Sequence, residues 1–241
     1  MHNKRMNGEA TYTAKWEFLP DGTTNTIEKA PFDAAFETDR KAWDYVTLHQ
    51  KGQDSPFFNT YYTEKTPYLT MLANYIRAKS PESELLFFNS WAAHTKVIAD
   101  KYEDVYKPIV EGLPKEAYYS AVHSAIKSNY QKAAEIIGNP NRIIPAGEAV
   151  YLAVTQYGFA DIIMDGEEYI KDGRSIYRDA SSHLNYNHGR VLAGLTWYEY
   201  LTGNDVRNNP YKHESISSED MALLKEIAHY VCSLPEYNPA N

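Results

Sequence analysis

The run Arg178-Asp179-Ala180-Ser181-Ser182-His183-Leu184-Asn185 puts a carboxylate and an imidazole on one short segment, just ahead of an apolar helical pattern from Gly189 to Gly203. A neutral imidazole held by a carboxylate can take a proton from a hydroxyl or a water near neutral pH, the step a hydrolase needs. Asp179 and His183 are therefore the candidate acid–base pair. A plainer reading of the same residues makes Asp179 or Ser181 the cap of a turn and His183 a satisfied core histidine. His188 competes as a base, but its place beside Asn187 and Gly189 at a helix start suits a capping role.

Other chemistries find less in the residues. No two of the eight histidines stand four apart, as a helical zinc motif requires. Glu148 could join Asp179 and His183 as a ligand set, yet no spacing demands it, and neither metal nor cofactor is expected. Glycine-rich phosphate loops are missing, so a nucleotide has no cradle. A net charge of −8 without a Lys/Arg cluster argues against nucleic acid as a partner. Cys232 is the single cysteine, so it forms no internal disulfide and reads as a small buried apolar residue. No window is long and apolar enough for a membrane span, and Met1–Met6 is not followed by the apolar stretch of a signal peptide. The 21 tyrosines exceed what a minimal core needs; they suit either a Tyr-rich core and helix surface or a platform on which sugars stack.

The elements that must position these residues begin after a polar N-terminal stretch. Residues 1–25 carry isolated aromatics at Tyr12, Trp16 and Phe18 and a Pro20-Asp21-Gly22 turn, with no continuous apolar strand, and a short helix is expected from Phe32 to about Lys41. The first clear strand is Trp43–His49. A helix from Thr66 to Lys79 follows, burying Leu69, Leu72, Tyr75 and Ile76. The unit repeats with Glu84–Asn89 as strand, a loop at Ser90–His94, and a long helix from about Lys115 to Ile137 ending at Gly138. The run Arg142–Pro145 is a third strand, short and apolar enough to be covered on both faces. A helix over Ser217–Cys232 is expected to dock late on the sheet, and the tail after Pro235 to be loose.

Strands alternating with helices argue for a parallel sheet with helices on both sides, because parallel neighbours need a crossover. Ligands in such folds bind beyond the carboxyl ends of the strands. That rule collects His49, Gln50 and Gly52 after the first strand, Ser90, Trp91 and His94 after the second, Gly147 and Glu148 after the third, and Asp179 with His183 in the last loop.

These blocks, in order, carry a resemblance. Trp43–Gln50, Phe88–Ala92, Ile144–Gly147, Arg178-Asp179 to His183-Leu184, Gly189 and Trp197–Gly203 together are similar to the SGNH (GDSL-like) hydrolase superfamily, within a bacterial branch labelled only as a domain of unknown function. The likeness covers about Trp43 to Gly203. It implies a single flavodoxin-like α/β domain over residues 1–241, made of an irregular segment (1–42), a core (43–203) and a C-terminal helix and tail (204–241).

The resemblance also implies a function. His183 would be the general base of a serine esterase and Asp179 the residue that orients its imidazole, although three residues separate them here where two are usual. The substrate would be an ester, such as an O-acyl group on a carbohydrate, held near Trp91 and Glu148. The oxyanion block, usually Gly-x-Asn, falls near His49 to Gly52 and lacks the asparagine, leaving Gln50 or His49 as donor. No serine follows a strand in a Gly-Asp-Ser or Gly-Asn-Ser motif. Since residues 1–16 resemble the loop that follows the first two strands of this branch, the opening strand and its serine are expected upstream of Met1. The chain by itself is expected to be inactive, and relatives of the branch are commonly exported. The alternative is a noncatalytic module that keeps the rim for sugar or partner binding.

Overall fold

Leu85, Leu86 and Phe87 are almost wholly buried in β4 (Glu84–Phe88), as consecutive apolar residues must be in a strand covered on both faces. The computed structural model describes residues 11, 14–18, 22–36, 43–159, 164–165, 168–169, 174–178 and 182–237. It is a mixed α/β chain. The strands β3 (Tyr45–Leu48), β4 and β5 (Ile143–Ile144) form an open parallel sheet in the order β3-β4-β5, flanked by helices as in a flavodoxin-like fold. β4 and β5 pair through Phe87 with Ile143 and Phe88 with Ile144.

The remaining elements are the strands β1 (Ala14–Phe18), β2 (Thr24–Glu28), β6 (Met164–Asp165) and β7 (Glu168–Tyr169). The helices are α1 (Tyr68–Lys79), α2 (Thr95–Lys101), α3 (Glu103–Val110), α4 (Tyr118–Ile136), α5 (Ala146–Thr155), α6 (His188–Thr202) and α7 (Ser218–Ser233). By internal contacts the chain divides into two compact units, one drawn from Met1–Val46 and Tyr61–Leu85, the other from Thr47–Thr60 and Leu86–Asn241.

In the first unit, β1 and β2 form an antiparallel ribbon in register from Ala14↔Glu28 to Phe18↔Thr24. The stretch read from sequence as lacking a strand therefore holds two. Every residue of β2 is exposed, so no apolar run announces it. The expected helix after Phe32 is a 3-10 turn over Phe32–Ala35, while residues 37–42 lie outside the described ones. Phe32 packs edge-on against Tyr75 of α1 at 5.2 Å, and Asp33 accepts from Tyr75 and pairs with Lys79 at 2.7 Å.

The second unit holds the larger core. Val122, Ile126 and Tyr130 of α4, Ile143 and Ile144 of β5, and Leu192 of α6 are at most 1% exposed. Each such side chain contributes about 1.5–3 kcal/mol of burial. Helix α6 ends at Gly203, whose φ of 69° is the left-handed cap that glycine adopts without cost. Helix α7 starts at Ser217, whose hydroxyl accepts from Asp220 N at 3.0 Å. Two differences from the sequence reading stand out here: α2 and α3 fill a stretch left unassigned, and Gly147 and Glu148 belong to the first turns of α5 rather than to a loop.

Candidate active site

Tyr177 and Leu184 form an antiparallel bridge, flanked by Arg178 N donating to His183 O at 2.8 Å and Asn185 N donating to Ile176 O at 2.9 Å. Residues 176–178 and 182–185 thus pair antiparallel as the two arms of a small hairpin. Side chains alternate across such a ladder. Tyr177 and Leu184 point inward, 2% and 5% exposed, while His183 is exposed and Arg178 half-exposed on the outer side. The hairpin is fastened to α6, because Asn185 Oδ1 accepts from Gly189 N at 2.8 Å. A Cβ on Gly189 would sit 2.3 Å from Ile176 O, so the approach requires glycine. Asp179 lies outside the described residues.

Ser182 joins this hairpin to the turn after β4. Its φ of 58° turns the chain in the left-handed region. Its carbonyl accepts from Trp91 Nε1 at 2.8 Å and its hydroxyl from His94 N at 3.0 Å. His94 in turn accepts from Lys96 N at 3.0 Å, capping α2, so it is a structural histidine. Tyr177 adds a further link by donating to Ala92 O at 2.9 Å.

The turns after the sheet strands are fastened in the same way. Ser90 donates to Ser55 Oγ at 2.9 Å, and Ser55 donates to Gly52 O at 2.7 Å. Asn129 of α4 holds the same turn through Ser55 O at 3.1 Å. Asn89 accepts from Gly147 N at 2.8 Å, and a Cβ on Gly147 would stand 2.1 Å from Ser90 O. The turns after β3 and β4, the start of α5 and the His183 hairpin are thus bonded into one rim.

Within that rim the expected residues differ in role. Gln50 donates its amide to Thr60 O and Oγ1 at 3.1 and 2.9 Å and accepts from Lys51 N, so it is committed to its own loop. Its backbone N–H goes to the Tyr130 hydroxyl at 3.1 Å. His49 is exposed, with its ring 5.5 Å from Phe88, and the protein packed around it holds its pKa below the ordinary value. Glu148 is turned inward. It accepts from Tyr237 at 3.1 Å, meets His123 Nε2 at 3.2 Å and pairs with Lys127 at 3.3 Å. Burial alone would raise its carboxyl, but the hydrogen bond and charge of His123 and the Lys127 ammonium outweigh it and hold the pKa at about 2. His123 stacks face to face on Tyr151 at 3.9 Å, so this cluster joins α4, α5 and the C-terminal Tyr237.

A family model described as "Domain of unknown function (DUF4886)" matches residues 1–231. The chain belongs to the DUF4886 family. A crystal structure of a DUF4886 family protein from Bacteroides uniformis ATCC 8492 is similar to it, at 26% identity and a TM-score of 0.76, over 98% of this chain and 79% of that one. No curated protein matches.

Sequence spacing gave no sign of two further clusters in this DUF4886 protein. His188 is the first residue of α6, not its cap, and its Nε2 lies 3.2 Å from Asp220, which also pairs with Arg174 at 2.8 Å. Burial lowers the His188 pKa and Arg174 adds to this, while Asp220 opposes both. Glu199, Asp205 and His229 bring ligand-type atoms within 4.8 Å of one another. Those atoms already bond within the protein: His229 Nδ1 meets Glu199 at 2.7 Å, and Glu199 and Asp205 accept from Val206 N and Arg207 N. No helix among the described residues is long and apolar enough to cross a membrane.

Proposed function

We propose that this DUF4886 protein has the SGNH-type esterase architecture, with His183 as general base, Asp179 as the carboxylate that orients it, and O-acyl groups of carbohydrates as substrate class. In that reaction the imidazole takes the proton of a serine hydroxyl as it attacks the acyl carbon. It then returns the proton to the departing sugar oxygen, and water repeats the cycle on the acyl-enzyme. The observation that carries the reading is the bond of Ser182 to Trp91 and His94, which ties the His183 hairpin to the turn after β4, where ligands of parallel sheets bind.

Ser55 and Ser90, in the turns after β3 and β4, are not the nucleophile in this reading. Ser55 is 0% and Ser90 4% exposed, each with its hydroxyl bonded inside the protein. A fluorophosphonate probe is therefore expected to leave both unmodified, and labelling of either would overturn that point. The decisive test uses the chain together with any upstream coding sequence that supplies a strand ending in Gly-Asn-Ser or Gly-Asp-Ser. That protein should hydrolyse 4-nitrophenyl acetate, His183→Ala should abolish turnover and Asp179→Asn should reduce it strongly. Equal turnover in wild type and His183→Ala would sink the assignment.

A second reading, a noncatalytic carbohydrate- or partner-binding module, is favoured by the same burial of Ser55 and Ser90. Upstream sequence without such a motif supports it.

A further inference from the structure

The first turns of α7 border a cavity of about 270 Å³, closed on its other side by the segment 207–216 that leads into the helix. Ile216 and Met221, 8% and 4% exposed, give it an apolar floor. Three cations stand around that floor, the exposed Arg207 and Lys212 and the half-buried Lys225. Ser218, the first residue of α7, adds a hydroxyl to the same wall. Lys225 fastens the segment over the helix by donating to Asn209 O at 2.5 Å, and the Asn209 side chain accepts from Tyr211 N at 2.8 Å.

The three cations are not equivalent. Arg207 is committed to Asp205, with Nη2 2.7 Å from one carboxylate oxygen and Nε donating to both. Glu226, the carboxylate of the lining, lies 3.7 Å from its Nη1. That guanidinium therefore has its counter-charges. Lys212 and Lys225 pair with no carboxylate among the described residues, although the chain carries a net charge of −8. An ammonium has three donors, so Lys225 keeps two beyond its bond to Asn209.

Two ammonium groups above an apolar floor suit a ligand with a negative head and an apolar body. Phosphate or sulfate, hydrated on every side, gains nothing from Ile216 and Met221, and the guanidinium fork that would match it is already bonded to Asp205. A carboxylate on a hydrocarbon chain uses both parts, and the flexible Met221 thioether adapts to the shape of its tail. The volume lies just below the range of about 300–1,000 Å³ usual for ligand pockets, which fits a small molecule rather than a polymer. We propose that this cavity binds a short-chain carboxylate, its head on Lys212 and Lys225 and its tail on Ile216 and Met221. The site goes beyond the esterase reading and does not rest on it.

The test is a ligand-observed NMR titration of the chain as it exists with hexanoate, acetate, hexanamide and inorganic phosphate. Hexanoate should bind with a Kd of about 1 mM or below, the range open to so small a ligand. It should bind about threefold or more tighter than hexanamide, through its charge, and about threefold or more tighter than acetate, through its tail. Added salt should weaken it. Lys212→Gln should lower hexanoate affinity about threefold. Ala222→Leu, which fills the cavity from an exposed position of α7 with a good helix former, should abolish binding, with the circular dichroism spectrum unchanged in both variants. Equal binding of hexanamide or acetate, tighter binding of phosphate, no binding of hexanoate, or full hexanoate affinity in either variant would overturn the proposal. Because no hydrolysis is measured, these outcomes are separate from failure of the esterase reading, which shows as unchanged turnover in His183→Ala.

Discussion

The Ser182 hydroxyl accepts the backbone N–H of His94 at 3.0 Å, with both residues buried. Removing that acceptor leaves a buried N–H without a partner, which costs about 1–3 kcal/mol. Ser182→Ala should lower stability by this amount in urea unfolding. Ser182→Gly should recover about 1 kcal/mol of it, since glycine adopts the φ of 58° without the Cβ penalty. Wild-type stability in Ser182→Ala would show that the contact does not hold the hairpin.

Gly147, Gly189 and Gly194 form a second test with its own control. A Cβ at the first two would meet the backbone oxygens of Ser90 and Ile176 at 2.1 and 2.3 Å, whereas at Gly194 nothing lies within 4 Å. Gly147→Ala and Gly189→Ala must push main chain apart and should cost about 3 kcal/mol or more. Gly194→Ala, inside α6, should instead stabilise by about 0.5–1 kcal/mol. Thermal melts of the three variants check the order, and a tolerated Gly147→Ala would contradict the close contact between α5 and the Ser90 turn.

The strands β3, β4 and β5 and the helices α1, α4, α6 and α7 are legible in sequence because apolar runs and caps mark them, as at Ser217 and Gly203. The helix α3 is hidden by Pro108 within it, and the ribbon β1-β2 by its polar residues. Glu148 reads as a loop residue because Pro145 and Gly147 beside it are turn formers, yet the helix they open carries it inward to His123, 25 positions away. Asp220 likewise meets His188 across 32 positions. Such partners follow from how helices pack, which no local spacing records. The rim residues Trp91 and His183 follow from the strand-end rule, whereas Ser182, which links their loops, depends on a left-handed backbone that its residue type does not announce.

Glu148 predicts a pH dependence. Its carboxyl titrates at about 2 in the folded chain against an ordinary 4.5, so the unfolded chain binds the extra proton between those values and stability rises with pH there. The contribution is complete above about pH 4.5 and is lost as pH falls towards 2. It amounts to about 3 kcal/mol at about 1.4 kcal/mol per unit. Glu148→Gln should lose most of it at pH 7 and flatten urea-derived stability across that acid range. An unchanged slope in the variant would show that other carboxylates carry the effect.

His188 and Asp220 give the last prediction. The imidazole is buried, its Nδ1 has no partner among the described residues, and its pKa is lowered by that burial despite Asp220. A histidine whose folded pKa lies below its unfolded value binds its proton more readily when unfolded. It therefore destabilises the fold as pH drops below the ordinary value of 6.5. Asp220→Asn removes the group that opposes this shift and takes the carboxylate from Arg174. The His188 pKa should fall further in an NMR titration, and stability at pH 7.5 should drop by about 1–3 kcal/mol, the cost of a lost charged hydrogen bond in a buried setting. A His188 that titrates at or above its ordinary value in wild type, or an Asp220→Asn chain as stable as wild type, would remove this pair from among the contacts that hold α6 to α7.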